Sequence, residues 1–560
     1  MPISPKYVAG LDYGTNSVRC LIVRARDGAE TGASIVVYEH GDQGVLLDPR
    51  DPDLARQQPA DYLTSVEAAM QGAIAAARAN DPQFKPELIA GLGVDTTGST
   101  PLPVDARGRP LAQQPAFAGD LNAQAWLWKD HTATAEARAI TERAAQQHPE
   151  YLKKCGGVYS SEWFWAKIWH CAKVAPRVMD AAATWIECAD WIPAVLTATE
   201  AQPARCICAA GHKAMYNDLW GGYPAADFLR QLHPALGRLR AQLGKVRAVA
   251  IDQPVGRLTP AWAKRLGVPA GIPVAAGAFD AHLGAVGSGI EPGTLVKILG
   301  TSTCDIIIAP LQPELPDIPG LCGIVPGSVV PRFYGLEAGQ SAVGDIFNWW
   351  VQQIQPGGGA SHESLAAEAA KLLPGQTGLL ALDWNNGNRT VLVDQRLTGL
   401  LLGQTLQTRP AEVYQALIEA TAFGARVIME RFEEYGVKVK RVVACGGIAE
   451  KSPLVMQIYA DVTGRPMQLS RSAQTCALGA AIAAAVVAGI YRDVPAAQKA
   501  MTGIKPLVYR PQPKATAVYE RLFALYRCLH DSFGLGRPTE NLAGVMKKLL
   551  VLRDEVRQLA

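Results

Sequence analysis

The chain has 560 residues, too many for one hydrophobic core and enough for two domains of roughly 250 residues each. Its 49% hydrophobic and 19% charged content is that of a water-soluble globular protein. A net charge of +3 with no basic run argues against nucleic acid or an anionic membrane as a partner. The sequence passes almost at once into a β-rich run, with no signal peptide. The longest apolar stretch, 477–490, falls short of the roughly 20 residues that cross a bilayer and reads as a buried helix. Eleven scattered cysteines, with Cys206 and Cys208 the one close pair, read as buried free thiols. A cytoplasmic location is the expectation.

In chain order, residues 6–24 predict a β-hairpin whose turn is Asp12, Gly14, Thr15, Asn16 and Ser17. A strand follows over 33–39, a polar loop over 40–60 and a helix over 61–79 with apolar residues at helical spacing. The run 88–94 reads as a strand ending in Asp95, Thr96, Thr97 and Gly98, polar groups where open α/β sheets receive ligands. Residues 120–220 carry eight of the twelve tryptophans and read as a helical insert, with helices over 120–142 and 160–173 and most indoles in packing. The run 273–279 ends at Asp280, and the glycines from Gly284 to Gly293 predict a domain boundary and hinge.

A second hairpin then repeats the first. Its strands flank Gly300, Thr301, Ser302 and Thr303, about half a chain beyond Gly14. Two such turns suggest two similar domains gripping one phosphate-bearing ligand through backbone N–H groups. A strand over 330–336 leads to Glu337, and an amphipathic helix spans 411–435. A strand over 441–444 runs into Gly446, Gly447 and a helix containing Lys451, where a nucleotide can approach the backbone closely. A Pro-containing loop and charged helices follow residue 500.

Asp12, before the first turn, is a candidate for Mg²⁺, directly or through water, or else an Asx-turn residue. Asp280, at a strand end beside the boundary, is a candidate general base or else a helix N-cap. Neither a P-loop nor a well-placed dinucleotide fingerprint nor a nucleophile elbow occurs.

The two turns and Gly446–Gly447 resemble the phosphate and adenosine motifs of the actin-like ATPase superfamily. Within it the chain resembles the FGGY carbohydrate kinases. Gly399, Leu401 and Gly403, followed by Glu412, Ala416 and Glu419, nearly match that family's signature, departing at Gln404 and Leu417. Stretches 94–100, 127–131, 159–167, 210–213, 277–282 and 335–341 resemble the members acting on L-ribulose; Lys129, Asp130 and His131 follow Trp128 as they do there. The resemblance implies an α/β fold of two actin-like (ribonuclease H-like) domains with a cleft between them. Residues 1–287 would form the sugar and phosphate side with the insert, 293–500 the adenosine side, and 501–560 a helical cap.

The implied reaction is ATP-dependent phosphorylation of L-ribulose at its 5-hydroxyl, in arabinose catabolism, with ATP and Mg²⁺ required. Asp280 would be the base; Gly98, Trp128, Lys213, Asp280 and Glu337 would line the ketopentose. Gly14, Thr15, Asn16, Gly300, Thr301, Gly446, Gly447 and Lys451 would face ATP, and Asp12 the metal. The implied partner is a small sugar, with neither nucleic acid nor membrane, and a homodimer is left open. A related kinase for D-ribulose, ribitol or another pentitol is the alternative, and an actin- or chaperone-like ATPase switch is the alternative of another class.

Overall fold

A computed structural model of the chain describes residues 6–244, 246–536 and 542–558. The first hairpin pairs Tyr7–Tyr13 with Ser17–Arg24, and Ala29–Val37 continues it outward, all antiparallel. On the other side Ile89–Thr96 lies parallel to Tyr7–Tyr13, and both Pro273–Ala275 and Ala278–Phe279 lie parallel to Ile89–Thr96. The second hairpin, Thr294–Leu299 with Thr303–Pro310, has the same surroundings. Phe333–Ala338 and Gly323–Pro326 extend it antiparallel, while Arg441–Cys445 and Met467–Ser470 flank it in parallel. The chain is therefore a mixed α/β fold built on two similarly ordered sheets.

Every residue of Tyr7–Tyr13 is buried, because both faces of the sheet are covered. Tyr7, Ala9, Leu11 and Tyr13 pack with Tyr62, Val66 and Met70 of the helix Pro59–Asn80. Val8, on the opposite face by the two-residue period, packs with Ala477, Ala480 and Ala481 of the helix Thr475–Val487. That apolar core also holds Leu283 of the helix Asp280–Gly287 and Val296, Ile306 and Val443 of the second sheet. Two helices are thus sandwiched between the two sheets. Among the described residues no helix is long and apolar enough to cross a membrane.

The sandwich is closed by glycines at which a side chain has no room. A Cβ on Gly10 would lie 1.8 Å from the Ala477 carbonyl oxygen, and one on Gly479 would lie 1.9 Å from that of Leu283. Rigid backbone stands at each point, so Gly479→Ala forces the helices apart. Overpacking of this kind costs about 1–3 kcal/mol, and we expect a lower thermal unfolding midpoint for Gly479→Ala. Gly119→Ala, where nothing lies within 4 Å, is the unaffected control.

Several elements differ from the sequence expectation. The stretch 40–60 is not all loop: Leu46–Asp48 and Asp51–Gln57 form a small sheet with Ala125–Trp126. The helix expected over 120–142 begins only at Thr134, after a 3₁₀ turn, that short strand and a loop. The glycine-rich stretch expected as a hinge is helical and buried through Gly287, its glycines serving close packing. After residue 500 the chain forms an edge strand, Ile504–Tyr509, before its last helices. Those helices, Pro513–Gly534 and Val545–Gln558, share a core with the long helix Pro410–Glu434, which is buried around most of its circumference.

Candidate active site

Three carboxylates meet at the carboxyl ends of three adjacent parallel strands. Asp12 is in register with Asp95, and Asp95 with Ala278, two residues before Asp280. Arg19, across the first hairpin, donates to Asp12 Oδ2 at 2.8 Å. Asp95 is 0% exposed, and neither of its carboxylate oxygens has a hydrogen-bond partner within the distance and angle limits of a normal bond. Burial and the charges of Asp12 and Asp280 push its carboxyl well above the usual range. Burial also raises Asp12, against the opposing charge of Arg19. Asp280 opens the helix Asp280–Gly287, accepts from the N–H of Ala281 at 2.7 Å, and is raised to about 7 by burial and by the charge of Asp12.

The first turn directly follows Asp12, and the second is its counterpart in the other sheet. In the first, Gly14 N–H donates to the Ser17 carbonyl at 2.9 Å, and Gln57 Nε2 donates to the Thr15 carbonyl at 2.7 Å. Trp128 Nε1 donates to Thr15 Oγ1 at 3.0 Å, so this indole joins the insert to the phosphate-type turn. In the second, Gly300 N–H donates to the Ser302 carbonyl at 3.0 Å, and the Thr301 carbonyl accepts from Val343 and Asp345 at 2.8 and 3.1 Å. Gly446, at φ 95°, passes against the Leu299 carbonyl, where a Cβ would lie 2.5 Å away. Gly446 and Gly447 are thereby held beside the second turn, with open space at Gly447. Lys451 ends the short helix Gly447–Lys451 and is exposed.

Lys213, Glu337 and Gly98 come together on the other side of Asp280. Lys213 ends the helix Ile207–Lys213, Glu337 lies in the strand Phe333–Ala338, and Lys213 Nζ donates to both Glu337 oxygens at 2.8 and 3.0 Å. Burial alone would raise the Glu337 carboxyl, but Lys213, His212 and His282 together hold the group well below the usual range. The Phe279 ring stands 5.9 Å from Lys213 Nζ and fills the space where a Gly98 side chain would be, at 1.9 Å. His212 and His282 flank Glu337, with their rings 4.5 Å apart, and burial drives both toward the neutral form.

Sequence reasoning placed Asp95 at a polar strand end but gave it no individual role. It also missed Lys167 of the helix Phe164–Val174. This buried ammonium donates to the carbonyls of Ser99, Trp126 and Leu127 at 2.8, 3.2 and 2.8 Å, tying the Gly98 loop to the Trp128 loop. No local pattern signals such a role, because its acceptors are backbone atoms contributed by two distant segments.

Models of the FGGY family of carbohydrate kinases match twice, the N-terminal domain over residues 7–287 and the C-terminal domain over 295–488. The chain is 42% identical over 545 residues to a protein of Vibrio parahaemolyticus named ribulokinase, covering 93% of this chain and 95% of that protein. It is 41% identical over 570 residues to a ribulokinase of Geobacillus thermodenitrificans, covering 99% and 98%. Among solved structures, the xylulose kinase of Rhodospirillum rubrum shares the fold with a TM-score of 0.77 at 24% identity, over 94% of this chain and 99% of that one. The glycerol kinase of Plasmodium falciparum with ADP does so with a TM-score of 0.73 at 14% identity, over 96% and 99%. With family models on both halves and relatives matched over nearly their whole length, the chain belongs to the FGGY family of carbohydrate kinases.

Proposed function

We propose that the protein transfers the γ-phosphoryl group of ATP to the terminal 5-hydroxyl of L-ribulose, with Asp280 as the general base. Kinases of this family take the phosphoryl group from ATP, generally with a divalent metal, and the relatives named ribulokinase support the ketopentose. The observation that carries the reading is Asp280 itself. It is a partly buried carboxylate raised to about 7, close enough to Asp12 and to the Lys213–Glu337 pair to feel their charges. A base whose proton affinity lies near the working pH gives the best compromise between ionised fraction and driving force.

In this reading Lys213, Glu337, Gly98 and Trp128 orient the sugar, and Thr15, Asn16 and Thr301 face the phosphates. Gly446, Gly447 and Lys451 serve the adenosine. Residues 1–287 would form the sugar side and 293–500 the adenosine side. The oxygen-only set of Asp12 and the buried Asp95 carboxyl beside it fits a hard dication such as Mg²⁺. Bound there through Asp12, the ion would neutralise phosphate charge. The chain's own part is alignment of the hydroxyl, acceptance of its proton at Asp280 and exclusion of water from the cleft.

The test is ADP release measured across L-ribulose, D-ribulose, xylulose, ribitol and glycerol. The expected result is release that depends on ketose and is fastest with L-ribulose. Preference for D-ribulose or a pentitol reassigns the acceptor. Release indifferent to every acceptor overturns the kinase reading in favour of a nucleotide-driven switch.

A further inference from the structure

His212, His282 and Glu337 form a second polar cluster whose protons do not add up. Each offers one ligand atom, and these atoms lie within 4.8 Å of one another. His212 is 1% exposed, His282 2% and Glu337 7%. Ser328 Oγ donates to the Val325 carbonyl at 3.0 Å, so toward His212 Nε2, at 2.9 Å, it accepts. With that hydroxyl orientation a neutral His212 is assigned its hydrogen on Nε2. Its bare Nδ1 then stands 3.3 Å from Glu337 Oε2 without the alignment of a hydrogen bond. His282 Nε2 stands 3.7 Å from the same oxygen, and neither nitrogen of that ring has a hydrogen-bond partner. Converging lone pairs with no proton between them are what a cation fills.

The spacing agrees. Bonds of 2.0–2.1 Å from nitrogen and oxygen to a tetrahedral ion imply ligand atoms about 3.3–3.4 Å apart. Two imidazoles and one carboxylate suit Zn²⁺ and its first-row neighbours rather than Mg²⁺. Ser328 supplies the outer hydrogen bond that fixes the tautomer of a ligating histidine. Gly323, opposite Glu337 in the sheet, lets the ring in, since a Cβ there would lie 1.9 Å from His212 Nδ1. Against an ion stands Lys213, whose ammonium holds both Glu337 oxygens. A dication and an ammonium do not share one buried carboxylate without strong repulsion, so the two are alternative occupants.

We propose that His212, His282 and Glu337 form a site for a first-row transition dication, and that its occupation displaces Lys213 from Glu337 and so inhibits by competing with the sugar. The binding half stands on this geometry alone; the competition half rests on the proposed function, in which Lys213 and Glu337 hold the ketose.

Co²⁺ is titrated into the full chain with Mg²⁺ in excess to occupy the carboxylates around Asp12, and the intense visible bands of low-coordinate Co²⁺ are read. Wild type is expected to take up one equivalent that Zn²⁺ displaces. Since losing an outer hydrogen bond weakens metal sites about 10–100-fold, Ser328→Ala is expected to fall in that range. His212→Gln and His282→Gln are expected to fall at least as far. Far-ultraviolet circular dichroism verifies that each variant is folded. Equal uptake by wild type and both histidine variants, or only the faint spectrum of six-coordinate Co²⁺, overturns the site. In the kinetic arm Zn²⁺ is expected to raise the KM for ketose and leave kcat unchanged. Inhibition that excess ketose does not relieve overturns the competition. Enzyme stripped of transition metals and supplied with Mg²⁺ that phosphorylates no ketose overturns the functional reading instead, and the Co²⁺ titration still decides the site.

Discussion

Asp280→Ala is expected to lower kcat for sugar phosphorylation by about 10²–10⁴-fold, the usual worth of a positioned general base, while leaving the protein folded. Because the base must be ionised to accept a proton, and burial with the Asp12 charge raises it to about 7, wild-type kcat/KM is expected to climb with pH through that value. The same displacement has a stability sign. The folded carboxyl binds its proton more tightly than the unfolded one, so its contribution is most favourable below the ordinary carboxylate range. That contribution declines as pH rises and is fully lost above about 7. Asp280→Asn removes this ionisation, so at pH 8 it is expected to be more thermostable than wild type by on the order of 4 kcal/mol, and at pH 4 no more so. A variant as active as wild type, or a pH profile without the rising limb, removes Asp280 from the chemistry.

The second large effect concerns Lys213 and Glu337. Lys213→Met leaves a buried carboxylate without its ammonium, and breaking one side of a buried pair costs about 3–5 kcal/mol. We expect a sharply lowered unfolding midpoint together with a raised KM for the sugar. The double variant Lys213→Met/Glu337→Leu removes both charges and is expected to recover much of the stability, since apolar replacement of a whole buried pair is often neutral. It is not expected to recover sugar binding. Glu337 is held below the ordinary carboxylate range, so its favourable contribution is present above that range and lost as pH falls through the folded value. The wild-type pair is therefore expected to contribute evenly from about pH 5 upward. Full sugar affinity in the double variant would separate this pair from substrate recognition.

What the sequence disclosed, and what it hid, follows from the range of the interactions. The two hairpins were legible because alternating apolar residues and a Gly-Thr turn are local signals, and Asp280 because it closes a β-rich run. The strand Asp51–Gln57 was not, because its partner Ala125–Trp126 lies far along the chain. The fastening of that pair is equally remote: Arg56 lies 3.4 Å over the Trp126 ring and pairs with Asp130. The polar residues of that insert region, spaced among tryptophans, imitated a helical period over 120–133 that backbone pairing overrode. The proximity of Asp95 to Asp12 and Asp280 is a matter of strand register, which no single strand reveals.

The helix Thr475–Val487 covers the face of the first sheet that carries Val8 and Gly10, although well over four hundred residues separate them in the sequence. During synthesis the N-terminal half therefore emerges with that face bare. It stays so through the making of the whole second sheet. A fragment ending near residue 287 would present Val8, Leu21, Leu283 and Val286 to water. The half that carries Asp280 is thus finished only after the second sheet's inner strands are made, and truncations before residue 487 should be read as losses of the first sheet as well as of the second.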